Sequence, residues 1–209
     1  MINTLDGQRV FVTGATGFIG SYLARRLRAA GAHVLGLERT PGKGSSLASE
    51  GIEMVHGDIT DHARMVEILR QYGVQIVLHL AAWLGQPPEP DLAHRINVVA
   101  TRSLAEASAA MGVKRFVFTS SIAVYGAFGD RDVDETTPVE PFGDPYGDSK
   151  VRAEQALAEI GHSMGLPFVI IRPGMVYGPG SPGWTVRLAR WAKRGRLPLL
   201  GGGRGTSTT

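Results

Sequence analysis

Cysteine is absent from the 209 residues. That excludes disulfide staples, thiolate nucleophiles and thiolate metal sites. No apolar run approaches the ~20 residues that a membrane-spanning helix needs. The opening MINTLDGQRV lacks the basic and apolar regions of a secretory signal. A cytoplasmic location with no membrane partner is expected. Negative charge is missing from one end. From Trp184 onward stand Arg187, Arg190, Lys193, Arg194, Arg196 and Arg204, with no Asp or Glu among them. All 19 acidic residues precede that segment, so the main part of the chain is slightly acidic although the whole carries +3. A nucleic-acid-binding domain should carry its positive charge on the folded face, so no nucleic-acid partner is expected. His79 stands on a strand with no spaced partner, a poor arrangement for a metal, and no metal is expected.

What is present is alternation. Runs with strand character at about 9–13, 33–38, 53–56, 76–80, 115–120 and 168–172 alternate with helical patterns at 17–30, 61–72, 92–111 and 146–164. This order predicts an α/β fold, a doubly wound parallel sheet with helices on both faces. In the first helix Ile19, Leu23, Leu27 and Ala30 recur at helical spacing, and Gly31 closes it as a C-terminal cap. After Arg172 the pattern breaks at Pro173, Gly174, Gly178, Pro179, Gly180, Pro182 and Gly183. One amphipathic helix follows at 184–194, then GGGRGTSTT. The domain reading is a dinucleotide-binding domain over 1–172 and a partial substrate-binding segment over 173–209.

The stretch VFVTGATGFIGS, Val10 to Ser21, is an apolar strand, a glycine turn and a helix start. Gly14 permits a sharp turn off the strand. Gly17 lacks a Cβ, so a diphosphate can approach the backbone. Gly20 lets the helix pack closely. N–H groups around Phe18 and Ile19 then point at the phosphates, assisted by the helix dipole. Glu38 ends the second strand, 18 residues after Gly20. An acid there accepts from a ribose 2′-hydroxyl and repels a 2′-phosphate, which favours NAD over NADP. Arg39 beside it complicates the choice, since it can pair with a 2′-phosphate or stack on adenine. Asp58 can accept from the adenine amino group or cap a helix, with Thr60 and Asp61 as other capping candidates.

Tyr146-Gly-Asp-Ser-Lys150 opens an amphipathic helix. Residues four apart share a helical face, so the Lys150 ammonium can stand near the Tyr146 hydroxyl. Positive charge would bring a phenol's ordinary pKa of about 10 toward neutrality. Tyr146 could then exchange a proton with a substrate hydroxyl as hydride moves. Ser120 and Ser121 end the fifth strand, at the edge where parallel sheets bind ligands. Either can bond the reacting oxygen or make a turn.

TGATGFIG, GDITD, HLAA, FTSSIAVYG, YGDSK and RPGMVYGPG occur in this order. From Arg9 to Gly180 the sequence resembles the extended short-chain dehydrogenases/reductases, in particular the NAD-dependent epimerase/dehydratase family. The resemblance implies a Rossmann fold in which Gly14, Gly17 and Gly20 form the pyrophosphate loop, with backbone contacts from Phe18 and Ile19. It implies that Asp58 and Ile59 hold the adenine, and that Ala81 and Ala82 line the cofactor. Asn97 would support the active-site lysine. Ser121 would be the catalytic Ser/Thr, Tyr146 the base, and Lys150 the residue that binds the nicotinamide ribose and lowers the tyrosine pKa. Pro173 to Val176 would meet the nicotinamide side. Arg187 and Arg190 lie where relatives grip a sugar-nucleotide diphosphate, or form a solvated basic face. The loop acids Asp130, Asp132, Asp134 and Glu135 are expected to be surface charges.

Three departures shape the expectation. Met175 stands where many sugar-nucleotide members have Asn. The family usually continues past the point where this chain stops, so the C-terminal substrate lobe is expected to be incomplete. Ile122 and Ala123 occupy the positions where related dehydratases carry Asp-Glu, which disfavours 4,6-dehydration. The reading is an NAD-dependent oxidoreductase or epimerase acting on a sugar, sugar nucleotide or related alcohol. Its alternatives are an NADP-dependent ketone reductase of the family and a non-catalytic dinucleotide sensor. A homodimer through a four-helix bundle is expected by analogy of fold, with Leu104, Ala107, Ala153 and Leu157 as its contacts.

Overall fold

Six short apolar segments form the strands: β1 (Arg9–Thr13), β2 (His33–Glu38), β3 (Glu53–His56), β4 (Ile76–His79), β5 (Arg115–Thr119) and β6 (Phe168–Ile171). The computed structural model describes residues 5–84, 89–126 and 132–195. All strand pairs are parallel, and the sheet order is β3-β2-β1-β4-β5-β6. This is the Rossmann-like doubly wound arrangement. Strand order reverses between β1 and β4, and the crevice outside their carboxyl ends is where such sheets take ligands. Phe11 pairs in register with Leu35 on one side and Val77 on the other. The strands read as continuous apolar runs because both sheet faces are covered.

The helices are α1 (Phe18–Ala29), α2 (Ser45–Ser49), α3 (His62–Gln71), α4 (Pro90–Ala93), α5 (Ala100–Ala110) and α6 (Pro145–Met164). Phe11, Val77, Phe116 and Phe118 build one core layer with Leu69, Leu104 and Leu157. Val10, Val12 and Val34 build the other with Ala24, Leu27 and Ile52. The buried stripe of α1 is Gly20, Ala24 and Leu27, while Ile19 is exposed at the first turn. No helix among the described residues is long and apolar enough to cross a membrane.

Helix ends follow local chemistry. Asp61 caps α3, its carboxylate accepting from the Arg64 N–H at 3.0 Å. Asp61→Ala is expected to cost about 1 kcal/mol of stability, read from urea denaturation midpoints at unchanged slope. Asp144 caps α6, accepting from the Gly147 N–H at 2.6 Å, with Pro145 at the first helical position. Gly165 ends the helix at φ 69°.

Two expectations are corrected. The helix expected over 92–111 starts at Pro90 and is interrupted by a π-helical segment, His94–Val99, between α4 and α5. Asn97 lies in that widened turn and is buried. Leu104, Ala107, Ala153 and Leu157, expected to contact a second subunit, are buried in this chain's own core at 4% exposure or less. Both helices are apolar on the face that meets the sheet, and these four residues lie on it.

The chain divides into two compact units, 1–172 and 173–209. The second holds a π-helical segment, Pro182–Val186, and α7 (Arg187–Lys193). Asp130, Arg196, Arg204 and the GGGRGTSTT end lie outside the described residues.

Candidate active site

Gly14 leaves β1 at φ 71°, in the left-handed region. A Cβ there would stand 2.8 Å from the Ala81 backbone nitrogen. The turn is thus pressed onto the end of β4, with Ala81 and Ala82 half-buried beside it. A Cβ on Gly20 would fall 2.1 Å from the Gly14 carbonyl oxygen, so no larger residue lets α1 start so close to the turn. Gly17 is the N-cap residue, and its own N–H donates to the Gly14 carbonyl at 2.9 Å. No side chain caps α1, and its first turn has no acidic residue. The N–H groups at Phe18 and Ile19 therefore head an uncompensated helix N-terminus, suited to a diphosphate.

Glu38 and His56 are paired in register at the ends of β2 and β3, which brings Glu38 and Asp58 to the same edge of the crevice. Glu38 has a second task that sequence reasoning missed. Its carboxylate accepts from the Gly42 N–H at 3.2 Å and the Gly44 N–H at 2.8 Å, folding the following loop back on itself. A carboxylate has about four acceptor positions, so capacity for a ribose hydroxyl remains. Arg39 is exposed, and its carbonyl meets His56 Nε2 at 3.1 Å. Asp58 accepts from the Thr60 N–H at 2.9 Å and the Thr60 hydroxyl at 2.7 Å. These bonds, the backbone one first, hold its carboxyl below the ordinary range. Capping of α3 falls to Asp61, and Ile59 packs into the core.

At the carboxyl end of β5, Ser121 caps a 3₁₀ turn, Ile122–Tyr125, accepting from the Ala123 N–H at 3.1 Å. The Ser121 hydroxyl also stands near enough to the Tyr146 phenol to pull its pKa down. Ser120 beside it is buried, and its hydroxyl has no hydrogen-bond partner among the described residues. Lys150, 2% exposed, donates from Nζ to the Thr119 carbonyl at 2.8 Å. Its ammonium lies 4.6 Å from the Phe118 ring centre and 5.9 Å from that of Tyr146. Burial pushes the Lys150 amine down to about 7. Burial raises the Tyr146 phenol, with the Ser121 hydroxyl pulling the other way. The expected lowering of the phenol is thus corrected for this structure. Lys150 is one turn away as predicted, but its charge is spent on a strand carbonyl.

Asn97 sits close to the lysine without bonding it. Its amide accepts from the Trp83 N–H at 2.8 Å and donates to the Trp83 carbonyl at 3.0 Å and to the Ser149 hydroxyl at 2.9 Å. It ties the chain leaving β4 to the residue before Lys150. Arg172 makes a second clamp, also missed. It forms a bidentate pair with Glu154 of α6 at 3.0 and 2.7 Å and donates to the Tyr125 hydroxyl at 2.7 Å. Tyr125 in turn donates to the Asp134 carbonyl at 2.7 Å. The Asp134 carboxylate folds its own loop, accepting from the Thr136 hydroxyl at 2.7 Å. Pro173, Val176, Arg187 and Arg190 belong to the second unit, where the Arg187 guanidinium stacks 5.2 Å from the Trp191 ring centre.

The model of the NAD-dependent epimerase/dehydratase family matches residues 10–207. The chain belongs to that family. It is 37% identical over 180 residues to a UDP-glucose 4-epimerase of Mycolicibacterium smegmatis, covering 82% of this chain and 57% of that protein. It is 32% identical over 199 residues to a 2-alkyl-3-oxoalkanoate reductase of Stenotrophomonas maltophilia, covering 93% and 59%. Among solved structures, UDP-glucose 4-epimerase of Thermus thermophilus in complex with NAD superposes with a TM-score of 0.76 at 32% identity, over 83% of this chain and 57% of that one. The chain thus spans little more than half the length of these family members.

Proposed function

We propose that this protein is an NAD-dependent epimerase or dehydrogenase. It moves a hydride between the nicotinamide and a hydroxyl-bearing carbon of a sugar, sugar nucleotide or related alcohol, in the cytoplasm. The observation that carries this reading is the meeting of Ser121, at the carboxyl end of β5, with the Tyr146 phenol, whose pKa it pulls down, and of Lys150 one helical turn on, its ammonium 5.9 Å from the Tyr146 ring centre. NAD, when bound, supplies the hydride acceptor. The glycine turn and the Phe18 and Ile19 N–H groups hold its diphosphate, and Glu38 and Asp58 take its adenosine end. Ser121 orients the substrate oxygen, and Tyr146 takes the proton from it. Pro173, Val176, Arg187 and Arg190 are assigned to nicotinamide and substrate contact on the resemblance alone. The likeness to a UDP-glucose 4-epimerase favours a nucleotide sugar. The likeness to a 2-alkyl-3-oxoalkanoate reductase favours ketone reduction, and a cofactor assay separates them. A homodimer through α5 and α6 would use their outward faces together with the π-helical segment before α5, where Val99 is half exposed.

Titration calorimetry of this chain, beside a version extended beyond Thr209, tests the cofactor. NAD is expected to bind more tightly than NADP, and Glu38→Ala to weaken NAD about tenfold while narrowing that preference. Tight NADP binding without NAD binding would overturn the reading of Glu38. With UDP-glucose, an epimerase inverts a carbon without accumulating NADH, and a dehydrogenase accumulates it.

A further inference from the structure

His79 ends β4 and is fully buried, yet no step of the chemistry above uses it. Its Nδ1 lies 2.7 Å from the Thr13 hydroxyl, and its Nε2 lies 2.8 Å from the Thr101 hydroxyl. The Thr13 oxygen is already in demand. It accepts from the Leu80 N–H at 3.2 Å, a donor shared with the Thr13 carbonyl, and from the Ala81 N–H at 3.1 Å. A hydroxyl has two acceptor positions and one proton. With both acceptor positions filled, the Thr13 proton must go to His79 Nδ1. The imidazole is therefore neutral, carries its own proton on Nε2 and donates it to Thr101. A charged ring would leave the Thr13 proton without an acceptor. Burial, which pushes the ring down to about 3 with help from the Lys150 charge, acts in the same direction.

The position of this network gives it a purpose. Thr13 immediately precedes Gly14, and the missing Gly14 Cβ is what lets the turn rest on the Ala81 nitrogen. At the end of β4 the Leu80 N–H still shares the Thr13 carbonyl, and the Ala81 N–H has left the ladder for the Thr13 hydroxyl. One hydroxyl satisfies both, provided its proton points away from them. We propose that His79 is a positioning residue. It fixes the Thr13 hydroxyl so that this oxygen clamps the end of β4 to the glycine turn, holding the turn in the shape that takes a diphosphate. The His79 ring also stacks on Phe118, 5.6 Å between centres, and Phe118 is the ring beneath the Lys150 ammonium. One buried histidine thus braces the cofactor turn and the floor of the catalytic site. The inference rests on the proposed function only for the identity of the ligand.

The test uses His79→Phe, which keeps a ring on Phe118 and removes both hydrogen bonds, and Thr13→Val, which removes the same clamp from the other side. In each, NAD and ADP are expected to bind about tenfold more weakly, and the Leu80 and Ala81 amides to lose protection from hydrogen exchange. The double variant should lose no more than either single one. His79→Asn places an acceptor near the Nδ1 position and should recover both readouts. His79→Gln, which reaches toward Thr101 instead, should recover neither. Unchanged protection at Leu80 and Ala81 in His79→Phe would overturn the proposal, as would equal recovery by Asn and Gln, the mark of a general packing role. If the unaltered chain binds neither NAD nor ADP while the exchange results hold, the dinucleotide reading falls and the clamp stands.

Discussion

Tyr146→Phe is expected to lower kcat by about 10³-fold while leaving NAD affinity within about twofold of the unaltered protein. The substitution removes one oxygen and keeps a ring of the same shape on α6. What is lost is the proton-transfer atom beside Ser121. The glycine turn, Glu38 and Asp58, to which the proposed function assigns the binding, are untouched. Steady-state turnover and calorimetric NAD titration read the two quantities separately. Retained turnover would remove Tyr146 from the mechanism, and a collapse of NAD affinity would make it a structural residue. A non-catalytic dinucleotide sensor would show no turnover to lose. The phenol's environment adds a direction with pH. Burial holds it above its ordinary range, so the neutral phenol dominates at neutral pH. Alcohol oxidation needs the phenolate and should rise toward alkaline pH. Ketone reduction draws on the phenol and should fall there.

Much of this site can be read from the chain because its demands are local. A backbone that must reach φ 71° at position 14, with the Gly14 carbonyl oxygen 2.1 Å from where a Cβ at position 20 would stand, leaves only glycine at both. Four-residue spacing puts Lys150 one turn from Tyr146 in any helix. The parallel sheet follows from six apolar runs separated by helical patterns. What spacing cannot tell is where a long side chain ends. Lys150 Nζ settles on the Thr119 carbonyl, 31 residues away, and burial, with the Asp144 charge behind it, sets the direction of the Tyr146 phenol. The Thr13–His79–Thr101 network joins residues 66 and 22 positions apart, and its parts read individually as ordinary strand and helix residues. Glu38 illustrates a shared role. The sequence marks an acid at the right strand end, but only the folded loop shows Gly42 and Gly44 bonded to it. The misassigned contacts Leu104, Ala107, Ala153 and Leu157 come from helices with apolar residues on more than one side, where periodicity alone does not identify the face that meets the sheet.

Lys150→Met should separate stability from chemistry at a single position. Turnover should be lost, and the free protein should become more stable by about 2–4 kcal/mol at neutral pH. An ammonium buried to 2% exposure with its amine pushed down to about 7 costs the folded state more than an unbranched apolar chain of similar length. The sign with pH follows from the two ends of the range. The unfolded chain keeps the lysine proton up to about 10.5, whereas the folded chain releases it near 7. Between those values the unfolded state binds more protons, so stability of the unaltered protein rises with pH across that window. The advantage of Lys150→Met should therefore be greatest below pH 7, shrink steadily above it and vanish beyond 10.5. Urea denaturation of both proteins at several pH values across that range measures it. A gain independent of pH would mean that the amine is not depressed, and a loss at every pH would mean that its bond to Thr119 and its place over Phe118 outweigh its burial. A pH-dependent gain accompanied by loss of turnover would mark a charge held in the core at the expense of stability for the sake of activity.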